Sequence, residues 1–426
     1  MPTIDRSSLA RLVIAFAAVW HLFSVLVPPK TPPPKGTLGR DYASYHYALQ
    51  VAASGGDPYD GEALNAAAQA DRTRRNVHPF FYPPPFLLSV AWALPLDLVT
   101  AFDVWFWLNE MFLVLAVLAL WRYLRPLGPT VGPVLALAVA LSYGVAYGQE
   151  LGQANFAVLA LVAWALEQQD RRPWLAGILM GTACMFKMSP ALLVMWWLLR
   201  REWIAVGAAC GWAVVLSVLA LPLVGFSDQV RFYTEVLPQF ASGDYNGLTI
   251  KIGMFANHSL PNLLDQLWPG ADNALSRTAR VAGSVFSFGL LLALAGAFFR
   301  PPADRLQQLG QASAVMVLML LVPVYTYEHH LVFALPALVA VTVAVVSGRL
   351  GSVAALMLAP CWALWFAPIP NLRGVAFELL EPGSLGAWCV QEAKFGMLVG
   401  LFFMALRVGM GAPQSAQAGE AVLKAA

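Results

Sequence analysis

In the stretch TLGRDYASYHYALQ, residues 37–50, a single carboxylate, Asp41, stands among aromatic side chains, just beyond an apolar run and a proline-rich hinge. An acid placed beside a hydroxyl nucleophile can take its proton as a general base. The bond broken in exchange leaves an anion, which needs a cation or oriented donors. Lys187 in FKMSP, and Tyr327, Glu328, His329 and His330 in YTYEHH, are residues of the right types. YGQELGQAN adds Gln149, Glu150, Gln153 and Asn155, NHSLPN adds Asn257, His258 and Asn262, and Tyr45 and Tyr82 add phenols that can line a cavity.

Each motif also has a structural use. Asp41 can cap a helix over YASYHYALQ. Gln149 and Gln153, spaced i, i+4 if helical, can hydrogen-bond between spans. Lys187 can snorkel to the headgroups. His329 and His330 can cap a helix, Asn257 and His258 can begin a short amphipathic helix, and the Tyr and Trp side chains suit an aromatic belt. The paired histidines have no third ligand at metal spacing, so no metal site is expected.

The elements that must position these groups are membrane helices. Of 426 residues, 59% are hydrophobic and 12% charged, and the mean hydropathy is +0.64. A soluble domain carries roughly 25% charged residues. Apolar runs long enough to cross a bilayer recur along the chain, at about 9–27, 103–121, 131–148, 154–168, 174–187, 189–199, 203–223, 281–299, 310–326, 331–347, 350–367 and 390–407. The first run lacks a small-residue cleavage site and reads as a retained span. The expected fold is an all-α polytopic membrane protein with about 12 transmembrane helices (11–13). The net charge of +2 comes from basic residues scattered in pairs at loop ends, which gives no nucleic-acid footprint. The four cysteines have no metal or redox spacing. Cys184 and Cys210 read as small packing residues.

Arginines mark one side: Arg6 and Arg11, Arg122 and Arg125, Arg171 and Arg172, Arg200 and Arg201, Arg300 and Arg305, Arg349, and Arg407. The short opposite loops YGQELGQAN and YTYEHH contain no Lys or Arg. The positive-inside rule then puts both ends inside and gathers the polar motifs on the outer face. This requires segment 85–102 to be re-entrant or interfacial, not a full crossing. Residues 1–407 read as one integral-membrane domain, with outer loops over 28–84 and 224–280 and a disordered tail over 408–426.

Together these groups suit transfer of a sugar from a lipid phosphate to an acceptor hydroxyl at the outer leaflet. Asp41 suits the base, and Lys187, His329 and His330 suit the phosphate. A second carboxylate is unnecessary, because phosphate leaves without strong acid assistance.

The order of motifs resembles the family 87 glycosyltransferases, polytopic GT-C enzymes that include polyprenyl-phosphate-mannose-dependent α-mannosyltransferases. The resemblance rests on DYASYHYA…SGGDPYD, FYPPPFLLSVAWALPL, GQANFAVLALVAWAL, FKMSPALLVMWWLLRREW, NHSLPNLL and YEHHLVFALPAL, over residues 41 to about 340. It implies a GT-C-like fold and inverting transfer of a hexose, most simply mannose, from a polyprenyl-phosphate donor to a lipid or glycan acceptor. It implies a site at the outer or periplasmic face of the plasma membrane, with Asp41 as base and a histidine of YEHH near the donor phosphate. Many GT-C enzymes carry paired acids in the first outer loop. Here Tyr42 follows Asp41 and the next acids are Asp57 and Asp60, which agrees with a reaction that uses no metal or other cofactor. The alternatives are an arabinofuranosyl or other pentosyl transferase on the same scaffold, and a transporter of lipids or sugar-lipids. A transporter commonly has a midplane site between repeated halves, and no repeat is visible.

Overall fold

The computed structural model describes residues 6–26, 39–72, 76–242, 252–271, 274–299, 301–381 and 383–411. The proline-rich hinge and residues 412–426 of the expected tail lie outside these. Among the described residues the fold is helical, without a strand.

Helix α1 (Arg6–Leu26) precedes the hinge, and the described segment after the hinge folds into α2 (Tyr42–Ala53) and α3 (Gly61–Ala70). A short α4 (Phe86–Val90) passes through a 3-10 turn, Ala91–Ala93, before α5 (Leu98–Leu124). Asp97 starts α5 by accepting hydrogen bonds from the Val99 and Thr100 amides, satisfying donors that a helix N-terminus leaves open. Residues 86–93 are only about 12 Å long as helix, against a hydrocarbon core of about 30 Å.

Next come α6 (Val131–Ala140), α7 (Tyr143–Leu151), α8 (Asn155–Gln168), α9 (Pro173–Phe186), α10 (Ala191–Leu199) and α11 (Trp203–Ala220). The segment between α11 and α15 holds α12 (Phe226–Arg231), α13 (Leu237–Ser242) and α14 (Leu260–Leu267). Then α15 (Arg277–Phe298) and α16 (Arg305–Leu321) lead to a 3-10 segment, Glu328–Ala334, continuous with α17 (Leu335–Val346). The chain closes with α18 (Ser352–Phe366), α19 (Ile369–Gly374), α20 (Leu385–Gln391) and α21 (Ala393–Met410).

Packing shows which helices are central. α16 and α17 are apolar and buried around most of their circumference, whereas α11 and α15 expose Ile204, Val214, Val218, Val285, Phe286 and Phe288. An apolar outward face is what lipid contact requires, since lipid tails offer no hydrophobic penalty to it. The pair α9 and α11 meets through small residues. A Cβ on Gly181 would lie 2.6 Å from the Ala209 carbonyl oxygen, and Gly177 and Ala205 make the matching contact one turn away.

By length and composition five helical stretches can cross a bilayer: Leu98–Leu127, Trp203–Ala220, Arg277–Phe298, Glu328–Val346 and Ala393–Met410. The number rises to seven if each of two bent pairs counts as one span. Several expected spans differ in shape from the straight runs read in the sequence. Segment 131–148 is a pair, α6 and α7, bent by 51°, and 350–367 continues into a second helix at 102°. α10 has nine residues, about 13 Å. Pro133 and Pro360 sit inside apolar runs, and composition does not reveal where a run bends. Helix α21 extends to Met410, past the expected end at residue 407. Cys184 and Cys361 are buried, but Cys210 is exposed and so faces outward from α11 without a packing role.

Candidate functional site

Asp41 is carried by a turn that pairs with the end of α7. The Gly39 amide donates to the Glu150 carbonyl at 2.8 Å, and the Asp41 amide donates to the Leu151 carbonyl at 3.1 Å. Two glycines permit this approach. Gly39 has φ +62 and Gly152 has φ +74, the left-handed region that favours glycine, and a Cβ on Gly152 would lie 2.8 Å from Tyr42 Cβ.

Asp41 occupies the position before α2 yet makes no side-chain capping bond. Its backbone is helical, φ −86 and ψ −26, while Asp60, extended at ψ 105, caps α3 through Glu62 N. Capping needs the extended conformation to turn the carboxylate back over the helix end. The Asp41 carboxylate instead accepts from Arg40 Nε at 3.1 Å and from Gln153 Nε2. Its side chain is 13% exposed.

Gln153 is itself fixed. Its Oε1 accepts from the Tyr82 hydroxyl at 3.0 Å, which accepts from the Tyr45 hydroxyl, and its carbonyl accepts from Asn109 Nδ2 at 3.0 Å. Burial alone would push the Asp41 carboxyl up. The Arg40 charge foremost, with His329, His78 and the Gln153 hydrogen bond, outweighs burial and holds it below the ordinary carboxylate value.

The cationic side of the site is tied together by Asn155. Its Oδ1 accepts from Lys187 Nζ at 2.9 Å, and its Nδ2 donates to the His329 carbonyl at 2.8 Å. Lys187 and Asp41 interact electrostatically. The His329 ring lies 4.1 Å from that of His330 and 6.3 Å from that of Tyr147. His330 Nδ1 is occupied by the Tyr327 amide at 3.1 Å, and the Tyr327 ring stacks over His330.

The other candidates lie apart from Asp41. Glu328 accepts from His258 Nε2 and from Lys394 Nζ, each at 2.8 Å, and these side chains are only 1–2% exposed. Asn257 ties down the chain ahead of this triad, donating to the Ile252 and Val324 carbonyls and accepting from the Thr326 amide. Gln149 donates to the Phe106 carbonyl at 2.9 Å. It does not share a helical face with Gln153, because α7 ends at Leu151 and Gly152 reverses the chain. A cleft of about 500 Å³, lined by Asp57, Asp60, Asn65 and Arg231, lies on the far side of Tyr59, whose hydroxyl donates to the Tyr82 carbonyl at 2.9 Å.

Three site residues escape a reading by motif: Arg40, Tyr147 and Lys394. Arg40 had a signal, as a cation directly beside the lone acid, and Lys394 had one as an ionisable residue opening an apolar helix. Tyr147 had none beyond its place as the first residue of YGQELGQAN. Among the described residues no group of three or more His, Cys, Asp or Glu is arranged to hold a metal ion.

A model of glycosyltransferase family 87 matches residues 80–323. The match takes in Tyr82, Gln153, Asn155 and Lys187, and leaves Asp41 and residues 327–330 outside. A polyprenol-phosphate-mannose-dependent alpha-(1-2)-phosphatidylinositol mannoside mannosyltransferase of Mycolicibacterium smegmatis is 27% identical over 241 residues, 55% of this chain and 48% of the relative. A polyprenol-phosphate-mannose-dependent alpha-(1-2)-phosphatidylinositol pentamannoside mannosyltransferase of the same organism is 26% identical over 303 residues, 68% of this chain and 67% of the relative. An alpha-(1->3)-arabinofuranosyltransferase of Mycobacterium tuberculosis is 40% identical over 77 residues, 18% of this chain and 17% of the relative. The chain thus spans 48% of the first of these relatives.

Proposed function

The chain belongs to glycosyltransferase family 87 and is a multi-pass membrane glycosyltransferase, and from that premise we propose that it transfers mannose from a polyprenyl-phosphate donor, with inversion, to a hydroxyl of a lipid or glycan at the outer face of the plasma membrane. In this reading the chain crosses about twelve times with both ends inside, and shorter apolar helices such as α1, α8 and α9 supply extra crossings. The observation that carries it is Asp41: a carboxylate at a helix start that forgoes capping and is held by Arg40 and Gln153.

The acceptor oxygen attacks the anomeric carbon on the face opposite the phosphate, and its proton passes to Asp41. The bond from carbon to the phosphate oxygen breaks, and its electron pair stays with the phosphate beside Lys187 and His329. Protein cations supply the charge the phosphate needs, so no metal or other cofactor takes part. Mannose is favoured because the mannosyltransferase relatives align over 241 and 303 residues. An arabinofuranosyl donor is the second reading, favoured by 40% identity over the shorter 77 residues.

Sealed proteoliposomes with the site facing out, given labelled polyprenyl-phosphate mannose or polyprenyl-phosphate arabinofuranose from outside, distinguish these readings. Label moves from the mannose donor. Transfer from the arabinose donor alone would replace the first reading by the second, and transfer only from the inside would reverse the sidedness.

The two histidines differ in effect. His329→Ala lowers kcat/KM by about 10²-fold or more, the scale of a lost charge-stabilising donor, because its buried Nδ1 has no hydrogen-bond partner within the protein. His330→Ala costs less than about tenfold, since Nδ1 is spent on the Tyr327 amide. Initial rates for the two variants, if both equal wild type, would show that the phosphate sits elsewhere.

A further inference from the structure

Arg40 combines contact with Asp41 and partial exposure. Its side chain is 37% exposed, whereas His329 is buried and Lys187 is engaged by Asn155. The contact with Asp41 runs through Nε at 3.1 Å. The guanidinium charge also interacts with the Tyr147 hydroxyl, and the Tyr147 ring lies 6.3 Å from that of His329. Arg40 therefore stands between the base and the histidine side of the site.

An arginine has five N–H donors in a planar fork that matches phosphate oxygens in pairs. Contact with Asp41 leaves the terminal nitrogens free to do so in part. The same contact also has a cost for catalysis: a cation paired to a carboxylate weakens its pull on a proton.

We propose that Arg40 is a ligand of the donor phosphate, and that the phosphate draws it off Asp41, so that the carboxylate becomes an effective base only when the donor is in place. This role rests on the polyprenyl-phosphate reading above. In the transfer step the acceptor O–H proton goes to Asp41 as the new carbon–oxygen bond forms. The electron pair of the broken bond stays on the phosphate, which gains a second negative charge. Arg40 holds that charge more strongly than the donor's single one, which stabilises the transition state over the ground state. When polyprenyl phosphate departs and Asp41 loses its proton, Arg40 returns.

The test is binding of sugar-free polyprenyl phosphate to the full-length chain in lipid nanodiscs, for wild type, Arg40→Gln, Arg40→Lys, Asp41→Asn and the Arg40→Gln/Asp41→Asn pair. Arg40→Gln binds about ten- to a hundredfold more weakly, the scale of a lost charge-assisted bond, and Arg40→Lys recovers part of it. Asp41→Asn binds at least as tightly as wild type, because the competitor for Arg40 is gone, and the double variant behaves as Arg40→Gln. Arg40→Gln within about twofold of wild type, or Asp41→Asn as weak as Arg40→Gln, would overturn the proposal. Should Arg40→Gln fail to fold, Asp41→Asn and Arg40→Lys still decide it: Arg40→Lys must weaken binding and Asp41→Asn must not. Wild type that binds no polyprenyl phosphate would overturn the donor class itself, and Arg40's role with it.

Discussion

Asp41→Asn reduces sugar transfer by about 10²–10⁴-fold, the contribution of a positioned general base, while the protein still folds. The substitution keeps the shape of the side chain and an oxygen for Gln153 Nε2, and removes only the charge and the proton-accepting capacity. Measured initial rates near those of wild type would remove Asp41 from the reaction. The pH profile adds a signed check. The Asp41 carboxyl is held below its ordinary value, with burial opposing and Arg40, His329, His78 and Gln153 favouring the ionised form. The reaction needs that form, so kcat/KM persists as pH falls through the ordinary carboxylate range near about 4 and declines only below it. Lys187, Tyr45, Tyr82 and Tyr147 also face this carboxylate. In Arg40→Gln the largest opposition to burial is gone, and the acid limb moves to higher pH. An acid limb unmoved by that change would show that Arg40 does not act on Asp41.

Lys394→Met has the largest effect on stability. Lys394, Glu328 and His258 form a triad from α21, the 3-10 segment and the turn before α14, all but sealed from solvent. Removing one member leaves a buried charge without its partner, which costs about 3–5 kcal/mol. The paired change Lys394→Met/Glu328→Gln removes both charges, and its cost is smaller than the sum of the two single changes. Thermal unfolding in detergent reads both. Additive losses would mean that the two side chains do not act as a pair. Because His329 and His330 follow Glu328 directly, loosening the triad also lowers transfer in the folded fraction.

Much of this was legible before the structure, and the rest was hidden for identifiable reasons. Helicity and membrane class follow from long apolar runs with few charges. The motifs FKMSP, GQAN and YEHH, expected together from the sequence, are joined by Asn155, which bonds Lys187 and the His329 backbone. That Asp41 does not cap α2 was not legible, because a capping and a non-capping acid differ by one backbone angle: ψ is −26 at Asp41 and 105 at Asp60. The i, i+4 reading of Gln149 and Gln153 failed for a similar reason, since Gly152 ends the helix between them. Glu328 was grouped with the histidines because it adjoins them in sequence, but its partners come from positions 258 and 394, and no local pattern encodes such long-range pairing. Bends between α6 and α7 escaped hydropathy because both halves are apolar.

The account turns on a lipid-phosphate sugar as donor. Purified wild-type protein in liposomes, with an extracted lipid acceptor, is given labelled mannose either as polyprenyl-phosphate mannose or as a nucleotide sugar, and label is measured in the acceptor. The account predicts label from the polyprenyl-phosphate donor, with the anomeric configuration inverted, and none from the nucleotide sugar. Label from the nucleotide sugar alone, or a product of retained configuration, would contradict it.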